Sequence, residues 1–444
     1  MTIKTEVVSF EHMIKDYQIV SSAVWARRSD QPGQNPKEVR VVVNPDQAFQ
    51  QFQGMGAAFS EIGGKALFSL EEDDRETLLK KCFHKDEGAG FTNCRLPIGS
   101  SDFALSAYSL NDHADDYAME HFSLKRDFDY LIPFIKGAYR YAEELKIHAS
   151  PWSPPAWLKT NNDFVGGGSL MDNDKTYKAY ALYLAKYITA YAEQGIHINK
   201  LLIQNEPDSA AGFPSCVMEP SQMVKFAVDY LDDALRKQNL TTEIWGGTFR
   251  TVTGLQAQQC MKSKKFKQVI GGLGFQYALV DSIYDLLKIY PDTQVMHTES
   301  VCHNGDNSWE QAVSLFNDFV DYMQAGCTIY SYWNMILDGT GRSTWGWKQN
   351  ALVTIHDQGQ IVYNPDYYVM ALLSKHIRPG ASRIECLCLA KRTIAFKNPD
   401  GSVVVFMCNL NDRGIHTTME LYGNEHTFEL PASSIVAVRI ESDK

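Results

Sequence analysis

The chain has 444 residues, of which 44% are hydrophobic and 21% charged, so it can bury a large core and form two or three domains, or fewer if one is a barrel. Its formal net charge is −11 and it has no long lysine and arginine cluster, which argues against nucleic acid or an anionic membrane as the main partner. No stretch approaches the roughly 18 uninterrupted apolar residues of a spanning helix, and the N-terminus lacks a signal peptide pattern. We therefore expect a cytoplasmic protein without an integral membrane segment.

The first predicted element is a strand at 38–45, EVRVVVNP, in which apolar and polar residues alternate. From residue 52, short apolar runs alternate with long amphipathic stretches such as 176–195, which has a helical period and ends at Gly195. The candidate strands in this region are 52–60, 91–99, 147–155, 200–207, 243–248, 272–278, 293–300 and 327–334. Eight such β–α units predict a closed (β/α)8 TIM barrel over residues 48–378.

After residue 378 the pattern changes to strands alone. A hairpin is predicted around Pro399, Asp400 and Gly401, and 426–440, HTFELPASSIVAVRI, resembles a second hairpin. Because these strands and the one at 38–45 need a partner sheet, we predict a small side β-sandwich formed by residues 1–47 together with 379–444. The fold class is therefore α/β, with a barrel and an attached β-domain.

Polar and aromatic side chains stand at or just after the carboxyl ends of the predicted barrel strands, where the catalytic residues of barrel enzymes lie. They are Arg95, Asp102, Trp152, Asn205, Glu206, Tyr277, His297, Glu299 and Trp333. Glu206 and Glu299, on the fourth and seventh strands, are expected to face each other across the barrel mouth. A strand-end carboxylate is often paired with an arginine for structural reasons, but two glutamates in these positions favour a catalytic pair.

Two carboxylates beside an aromatic-lined pocket are typical of glycoside hydrolysis, in which one protonates the leaving oxygen while the other attacks or activates water. Aromatic faces would cover the apolar surface of a sugar, and Arg95, Asp102 and Asn205 could bind hydroxyls. The run HTESVCH, from His297 to His303, lacks the HExxH spacing of a zinc site. We therefore expect a carbohydrate substrate and no metal or organic cofactor.

Seven motifs resemble glycoside hydrolase family 30, a clan A retaining group that includes glucosylceramidases. The motifs, in chain order, are GMGAAFSE, RLPIGSSDF, SPWSPPAWLKTNND, IQNEP, HTES, YWNMILD and IRPGASRI. The resemblance covers nearly the whole chain and implies a barrel with a side β-domain. It implies Glu206 as acid/base and Glu299 as nucleophile, with carboxyl groups about 5 to 5.5 Å apart. It also implies that the pocket for the non-reducing sugar is lined by Asp102, Trp152, Asn205, Tyr277 and Trp333.

Two segments depart from the family pattern. Family members that act as glucosylceramidases usually have His-Trp-Tyr where this chain has Phe275, Gln276 and Tyr277, and usually Asn-x-x-Gly-Gly-Pro where it has DGTGRSTWGWKQN at 338–350. A β-D-glucoside is the first expectation for the substrate: either a short β-glucan oligosaccharide, for example a β-1,6-linked one, or a glucosylated lipid or aryl compound. A β-xyloside or β-fucoside, or an inactive carbohydrate-binding protein on the same barrel, are the alternatives, and the oligomeric state stays open.

Overall fold

A computed structural model describes residues 2–9, 20–21, 39–250, 254–388 and 392–441. By contacts between residues the chain divides into two compact units. One comprises Met55–Asp306 and Ile329–Tyr363, and the other Met1–Gly54, Asn307–Thr328 and Asn364–Lys444. The domain boundaries expected from sequence, at residues 48 and 379, stay predictions, and the part of the side domain that falls on 10–19 and 22–38 lies outside the described residues.

The strands and helices are numbered here in chain order. The strands are β1 Thr2–Ser9, β2 Val20–Ser21, β3 Val39–Gln51, β4 Gly54–Ala58, β5 Asn93–Ile98, β6 Lys146–Pro151, β7 Ile198–Leu202, β8 Glu243–Phe249, β9 Ile270–Gln276, β10 Val295–Glu299, β11 Ile329–Asn334, β12 Ile336–Asp338, β13 Val353–Ile355, β14 Ile361–Tyr363, β15 Ser382–Leu387, β16 Thr393–Lys397, β17 Val403–Asn409, β18 Ile415–Leu421, β19 Asn424–Leu430 and β20 Ser434–Glu441. The α-helices are α1 Glu61–Leu67, α2 Glu72–Phe83, α3 Leu131–Tyr139, α4 Asp174–Glu193, α5 Pro220–Phe226, α6 Asp232–Lys237, α7 Leu255–Met261, α8 Lys264–Val269, α9 Val280–Ile289, α10 Trp309–Gln324 and α11 Pro365–His376.

The predicted barrel is confirmed. Its eight strands are adjacent in the order β10-β9-β8-β7-β6-β5-β4-β11, and the pairs from β4 to β10 are parallel. Contacts join its two ends, since the His297 ring stacks on Tyr330 at 4.1 Å and the backbone N–H of Trp333 donates to Ser300 Oγ at 3.3 Å. Strands such as β5 are buried along their whole length, which explains their unbroken apolar runs in the sequence.

Helix α4 shows how local sequence sets an element between two barrel strands. It begins where the Asn173 side chain accepts a hydrogen bond from the Thr176 N–H at 2.9 Å, and the chain leaves it through Gly195 at a φ of 77°. Its buried face carries tyrosines at helical spacing, Tyr177, Tyr180, Tyr183, Tyr187 and Tyr191. The helix predicted at 176–195 is thereby confirmed.

The other unit contains a nine-stranded sheet in the order β19-β18-β3-β15-β16-β17-β20-β1-β2. Leu430 of β19 and Val438 of β20, which are far apart in this order, belong to one buried core, so the sheet folds over on itself as a sandwich. The hairpin predicted around Asp400 is confirmed as β16 and β17. Among the described residues, no helix is both long and apolar enough to cross a membrane.

The second hairpin predicted from sequence is wrong. Strands β19 and β20 both form, but β19 pairs with β18 and β20 pairs with β17 and β1. The short connection through Pro431 joins β19, at the edge of the sheet, to β20, which lies between β17 and β1. Alternation of apolar residues reports which face of a strand is buried and carries no information about its neighbour, so it cannot distinguish a hairpin from two consecutive strands that pair elsewhere.

Candidate functional site

Glu206 lies where the fourth barrel strand loses its regular form. Beyond β7 the Asn205 N–H donates to Pro151 O at 2.8 Å, and the Glu206 N–H donates to Thr248 Oγ1 at 3.0 Å. Glu206 has a φ of 42°, in the left-handed region that costs a non-glycine residue free energy. Neighbouring strands on both sides hold this backbone, so the run Gln-Asn-Glu-Pro turns sharply and aims the Glu206 carboxylate into the barrel mouth.

Glu299 ends β10 just after an irregularity in its pairing with β9. Its Oε2 accepts a hydrogen bond from Arg95 Nη1, and its Oε1 accepts one from the Tyr277 hydroxyl. Burial and the charges of Glu299 and Glu206 raise the pKa of Tyr277 well above its usual range, so its hydroxyl stays a donor. Tyr277 also has a left-handed backbone, with a φ of 55°. Both carboxylate oxygens of Glu299 therefore accept hydrogen bonds from buried donors.

The structure brings the two glutamates together around one amide. Gln276 Nε2 lies 3.2 Å from Glu206 Oε1 and 3.3 Å from Glu299 Oε2, so these two oxygens can be at most about 6.5 Å apart. Retaining glycosidases hold their carboxyl groups about 5–5.5 Å apart, and inverting enzymes about 6.5–9.5 Å. The upper limit is compatible with the separation predicted for a retaining pair.

The acid groups of the site do not share one environment. Burial and the charge of Glu299 raise the pKa of Glu206 to about 7, although Arg250 Nη1, at 3.5 Å from Glu206 Oε2, acts in the opposite direction. Burial and the charges of both glutamates raise the pKa of Asp102 well above its usual range. Near neutral pH the site therefore holds a carboxyl group that can donate a proton beside one that Arg95 keeps paired.

Aromatic rings form one side of the site. Trp152 and Trp333 stack with centroids 5.1 Å apart and planes at 23°, and the Arg95 guanidinium lies 4.6 Å from the Trp152 ring and 5.5 Å from the Trp333 ring. The Asp102 carboxyl and the Trp333 indole are both buried, and a hydrogen bond between the two side chains acts to lower the pKa of Asp102 against the larger effect of burial. A buried acceptor beside a buried donor suits a ligand rich in hydroxyls.

His297 lies deeper in the barrel, two residues before Glu299 on the same strand. Its ring stacks on Tyr330 and its Nδ1 accepts from the Ser331 N–H at 3.4 Å. Burial and the nearby Arg95 charge lower the pKa of His297 to about 3, so the imidazole is neutral. A direct role of His297 in binding substrate stays a prediction. Within the described ranges no group of three His, Cys, Asp or Glu residues is arranged to hold a metal ion.

Sequence reasoning missed three polar residues of the site: Gln276, Thr248 and Arg250. The first two stand at the carboxyl ends of predicted strands. This position is the same signal that points to Asn205 and Tyr277. Thr248 Oγ1 donates to Asn205 Oδ1 at 3.0 Å. Arg250 follows β8 in a segment without periodicity, and its proximity to Glu206 could not be read from the sequence.

The chain is similar to known proteins along most of its length. Residues 52–243 match the model of the glycosyl hydrolase family 30 TIM-barrel domain, and residues 380–438 match that of the family 30 beta sandwich domain. An endo-1,6-beta-D-glucanase of Trichoderma harzianum is 26% identical over 447 residues, covering 95% of this chain and 90% of the relative. The lysosomal acid glucosylceramidase of Mus musculus is 24% identical over 408 residues, covering 85% and 79%.

A solved structure extends the likeness to the whole chain. The crystal structure of SrfJ from Salmonella typhimurium superposes with a TM-score of 0.89 at 25% identity, covering 100% of both chains. Both domain models match in the order that the fold requires, and the barrel carries its carboxylate pair at the ends of β7 and β10. The chain therefore belongs to glycoside hydrolase family 30 and is a glycoside hydrolase.

Proposed function

We propose that the protein is a retaining β-glycosidase that hydrolyses β-D-glucosides, with Glu299 as nucleophile and Glu206 as acid/base. The observation that carries this proposal is the unlike environment of two carboxylates that share the Gln276 amide. Glu299 is paired with Arg95 and accepts from Tyr277, whereas burial and the Glu299 charge raise the pKa of Glu206 to about 7. Double displacement needs this difference, because one group must attack as an anion while the other donates a proton.

In the first step, a Glu299 oxygen attacks the anomeric carbon while Glu206 transfers its proton to the departing glycosidic oxygen. The bond from the anomeric carbon to the leaving group breaks, and a glycosyl ester of Glu299 forms. In the second step, the ionised Glu206 removes a proton from water, whose oxygen attacks the anomeric carbon from the face that the leaving group vacated. The ester breaks, Glu299 is ionised again, and the sugar leaves with its original configuration.

A β-D-glucoside is the substrate that the relatives support best, since one is named a glucosylceramidase and another an endo-1,6-beta-D-glucanase. Both names denote enzymes that act on glycosides of glucose, and neither name refers to a xyloside or a fucoside. The buried Asp102 carboxyl and Trp333 indole suit sugar hydroxyls, and the stacked Trp152 supports the apolar face of the ring. A panel of nitrophenyl β-glycosides, with the anomer of the first product identified by NMR, tests sugar identity and retention together. Absence of turnover on the whole panel would favour the inactive binding protein.

The roles of the two glutamates can be separated by the leaving group. Glu299→Gln should lose activity on every glycoside, because no nucleophile remains. Glu206→Ala should still be glycosylated by a dinitrophenyl β-glucoside, whose leaving group needs no proton, and should then stall for lack of a base. Azide, which needs no base, should restore turnover and give a β-glycosyl azide. Glu72→Gln replaces an exposed glutamate of α2. It is the control for effects of substitution and purification that do not depend on the site.

Two results would contradict these roles: an α-glycosyl azide from Glu206→Ala, or a Glu299→Gln enzyme that keeps its activity. The first would mean that azide attacks from the opposite face, and the second that another group is the nucleophile. The cytoplasmic location expected from sequence stays a prediction, and cell fractionation is the measurement that tests it.

A further inference from the structure

One buried amide, that of Gln276, contacts both carboxylates of the proposed catalytic pair. Its Nε2 lies 3.2 Å from Glu206 Oε1, 3.3 Å from Glu299 Oε2 and 3.3 Å from Asn205 Oδ1. Its Oε1 lies 2.9 Å from Thr298 Oγ1, whose hydroxyl proton is shared with Phe275 O at 3.1 Å, and its nitrogen is the atom that faces the two acceptor carboxylates. The side chain is fully buried, so water does not compete for these bonds.

The amide has two hydrogens for these three oxygens. Asn205 Oδ1 already accepts from Arg95 Nη2 at 2.7 Å and from Thr248 Oγ1 at 3.0 Å, which satisfies its two lone pairs. The two hydrogens of Gln276 are therefore available to the two glutamates. Glu299 has strong donors besides this amide, namely Arg95 and Tyr277, whereas Glu206 has the Arg250 guanidinium at 3.5 Å. Loss of the Gln276 amide would thus affect Glu206 more than Glu299.

We infer that Gln276 is a positioning residue that stabilises the negative charge of whichever catalytic glutamate is ionised, and that it serves Glu206 above all in the second step. This inference rests on the proposed function. In the free enzyme Glu299 carries the charge. In the glycosyl-enzyme Glu299 is a neutral ester and Glu206 has given up its proton. The Gln276 amide then donates a hydrogen bond to the ionised Glu206 without any movement of the backbone.

The Gln276 amide offers two N–H groups and an oxygen. The Gln276 side chain can therefore donate to both glutamates while Thr298 orients it. The charged and titratable groups that face the pair are Arg95, Asp102, Asp208, Arg250 and Tyr277.

Gln276→Met tests the inference, because methionine keeps the length of the side chain and removes both donors. Without a donor the ionised form of Glu206 is less stable, so its pKa should rise in both enzyme forms. For a substrate with a poor leaving group, such as methyl β-glucoside, the alkaline limb of kcat/KM should move up by about one pH unit. For dinitrophenyl β-glucoside, where deglycosylation limits kcat, the acid limb should move up by a similar amount, and azide should relieve this loss.

Thr298→Val provides a second variant, since it removes the hydroxyl that orients the amide and leaves Gln276 in place. Thr298→Val should move both limbs of the pH profiles in the same direction as Gln276→Met, but by a smaller amount. It provides the test of the inference if Gln276→Met does not fold. Thermal melts of both variants separate a pH effect from a loss of stability. A uniform fall in kcat with unmoved limbs would show that Gln276 only fills space and would overturn the inference. Loss of the proposed function itself would appear differently, as an inactive wild-type enzyme or an active Glu299→Gln.

Discussion

Arg95 and Glu299 form an ion pair in which both side chains are buried, with exposed fractions of 0% and 7%. The guanidinium also donates to Ser150 Oγ from Nε at 3.3 Å and from Nη2 at 3.0 Å, to Thr298 O at 3.2 Å and to Asn205 Oδ1 at 2.7 Å, so its other four N–H groups are occupied. Removing two charges from water is costly, and such a pair is tolerated only when the hydrogen bonds around it are complete. The pair therefore places a carboxylate in a site shielded from water, where a solvated carboxylate would have to shed its water before attacking carbon.

Arg95→Met should disable and destabilise the protein, because Glu299 would then be a buried charge without its partner. We expect the free energy of unfolding to fall by about 3–5 kcal/mol at neutral pH, measured by urea denaturation. We expect kcat to fall by roughly 10²–10³, as for loss of other charge-stabilising donors. The double variant Arg95→Met, Glu299→Gln should recover part of the lost stability. An Arg95→Met protein as stable as the wild type would show that the charge is stabilised elsewhere.

Much of the barrel could be predicted because its strands are buried on both faces and stand out as apolar runs between amphipathic helices. The carboxyl ends of those strands then located Glu206 and Glu299, since parallel strands of a barrel all end at the same rim. The sequence could not reveal which segments, far apart along the chain, come into contact in the fold. The contact of Arg250 with Glu206 joins two loops, and the partner of β19 is set by the folding of the whole sheet. Periodicity carries no information about either.

The raised pKa of Glu206 predicts the pH dependence of the first step. The general acid must be protonated, and burial and the Glu299 charge raise the pKa of Glu206 to about 7. For a β-glucoside with an alkoxide leaving group, kcat/KM should therefore fall as the pH rises through about 7. With dinitrophenyl β-glucoside, which leaves without protonation, the alkaline limb should vanish. If the same limb persists with both substrates, it belongs to a group other than the acid.

The same carboxyl group should cost stability at alkaline pH. Its pKa in the folded protein, about 7, lies above the ordinary value of 4.5, so the folded state binds the proton more tightly and ionisation opposes folding. The penalty is absent below about pH 4.5, grows between there and pH 7, and is then at most about 3 kcal/mol. Glu206→Gln, which cannot ionise, should therefore be more stable than the wild type at pH 8 and similar to it at pH 4. Urea denaturation at the two pH values measures this, and an equal difference at both would refute it.

The 338–350 segment should set the preference for the leaving group. Its Trp347 ring packs edge to face on Phe213, with centroids 4.7 Å apart at 88°, and Phe213 lies in the loop that follows Glu206. The segment is held in place where Thr344 Oγ1 donates to Ala104 O at 2.6 Å. An aromatic pair of this kind contributes about 0.5–1.5 kcal/mol beyond the area that it buries, so losing it should alter contacts with a bulky leaving group by up to about tenfold.

Trp347→Ala and Phe213→Ala should therefore change the ranking of substrates in the same way. We expect kcat/KM to fall for a β-1,6-linked glucose oligosaccharide and for a glucosylated lipid by different factors, while hydrolysis of nitrophenyl β-glucoside is largely preserved, because its small leaving group does not extend to this pair. Trp345→Ala, in the same segment but outside the pair, is the matched comparison, and it shows whether the whole segment or only the Trp347–Phe213 contact determines the ranking. Measuring kcat/KM for the three substrates with each variant, alongside its melting temperature, separates specificity from stability. If all three substrates fall by one common factor, the segment supports the barrel and does not select the leaving group.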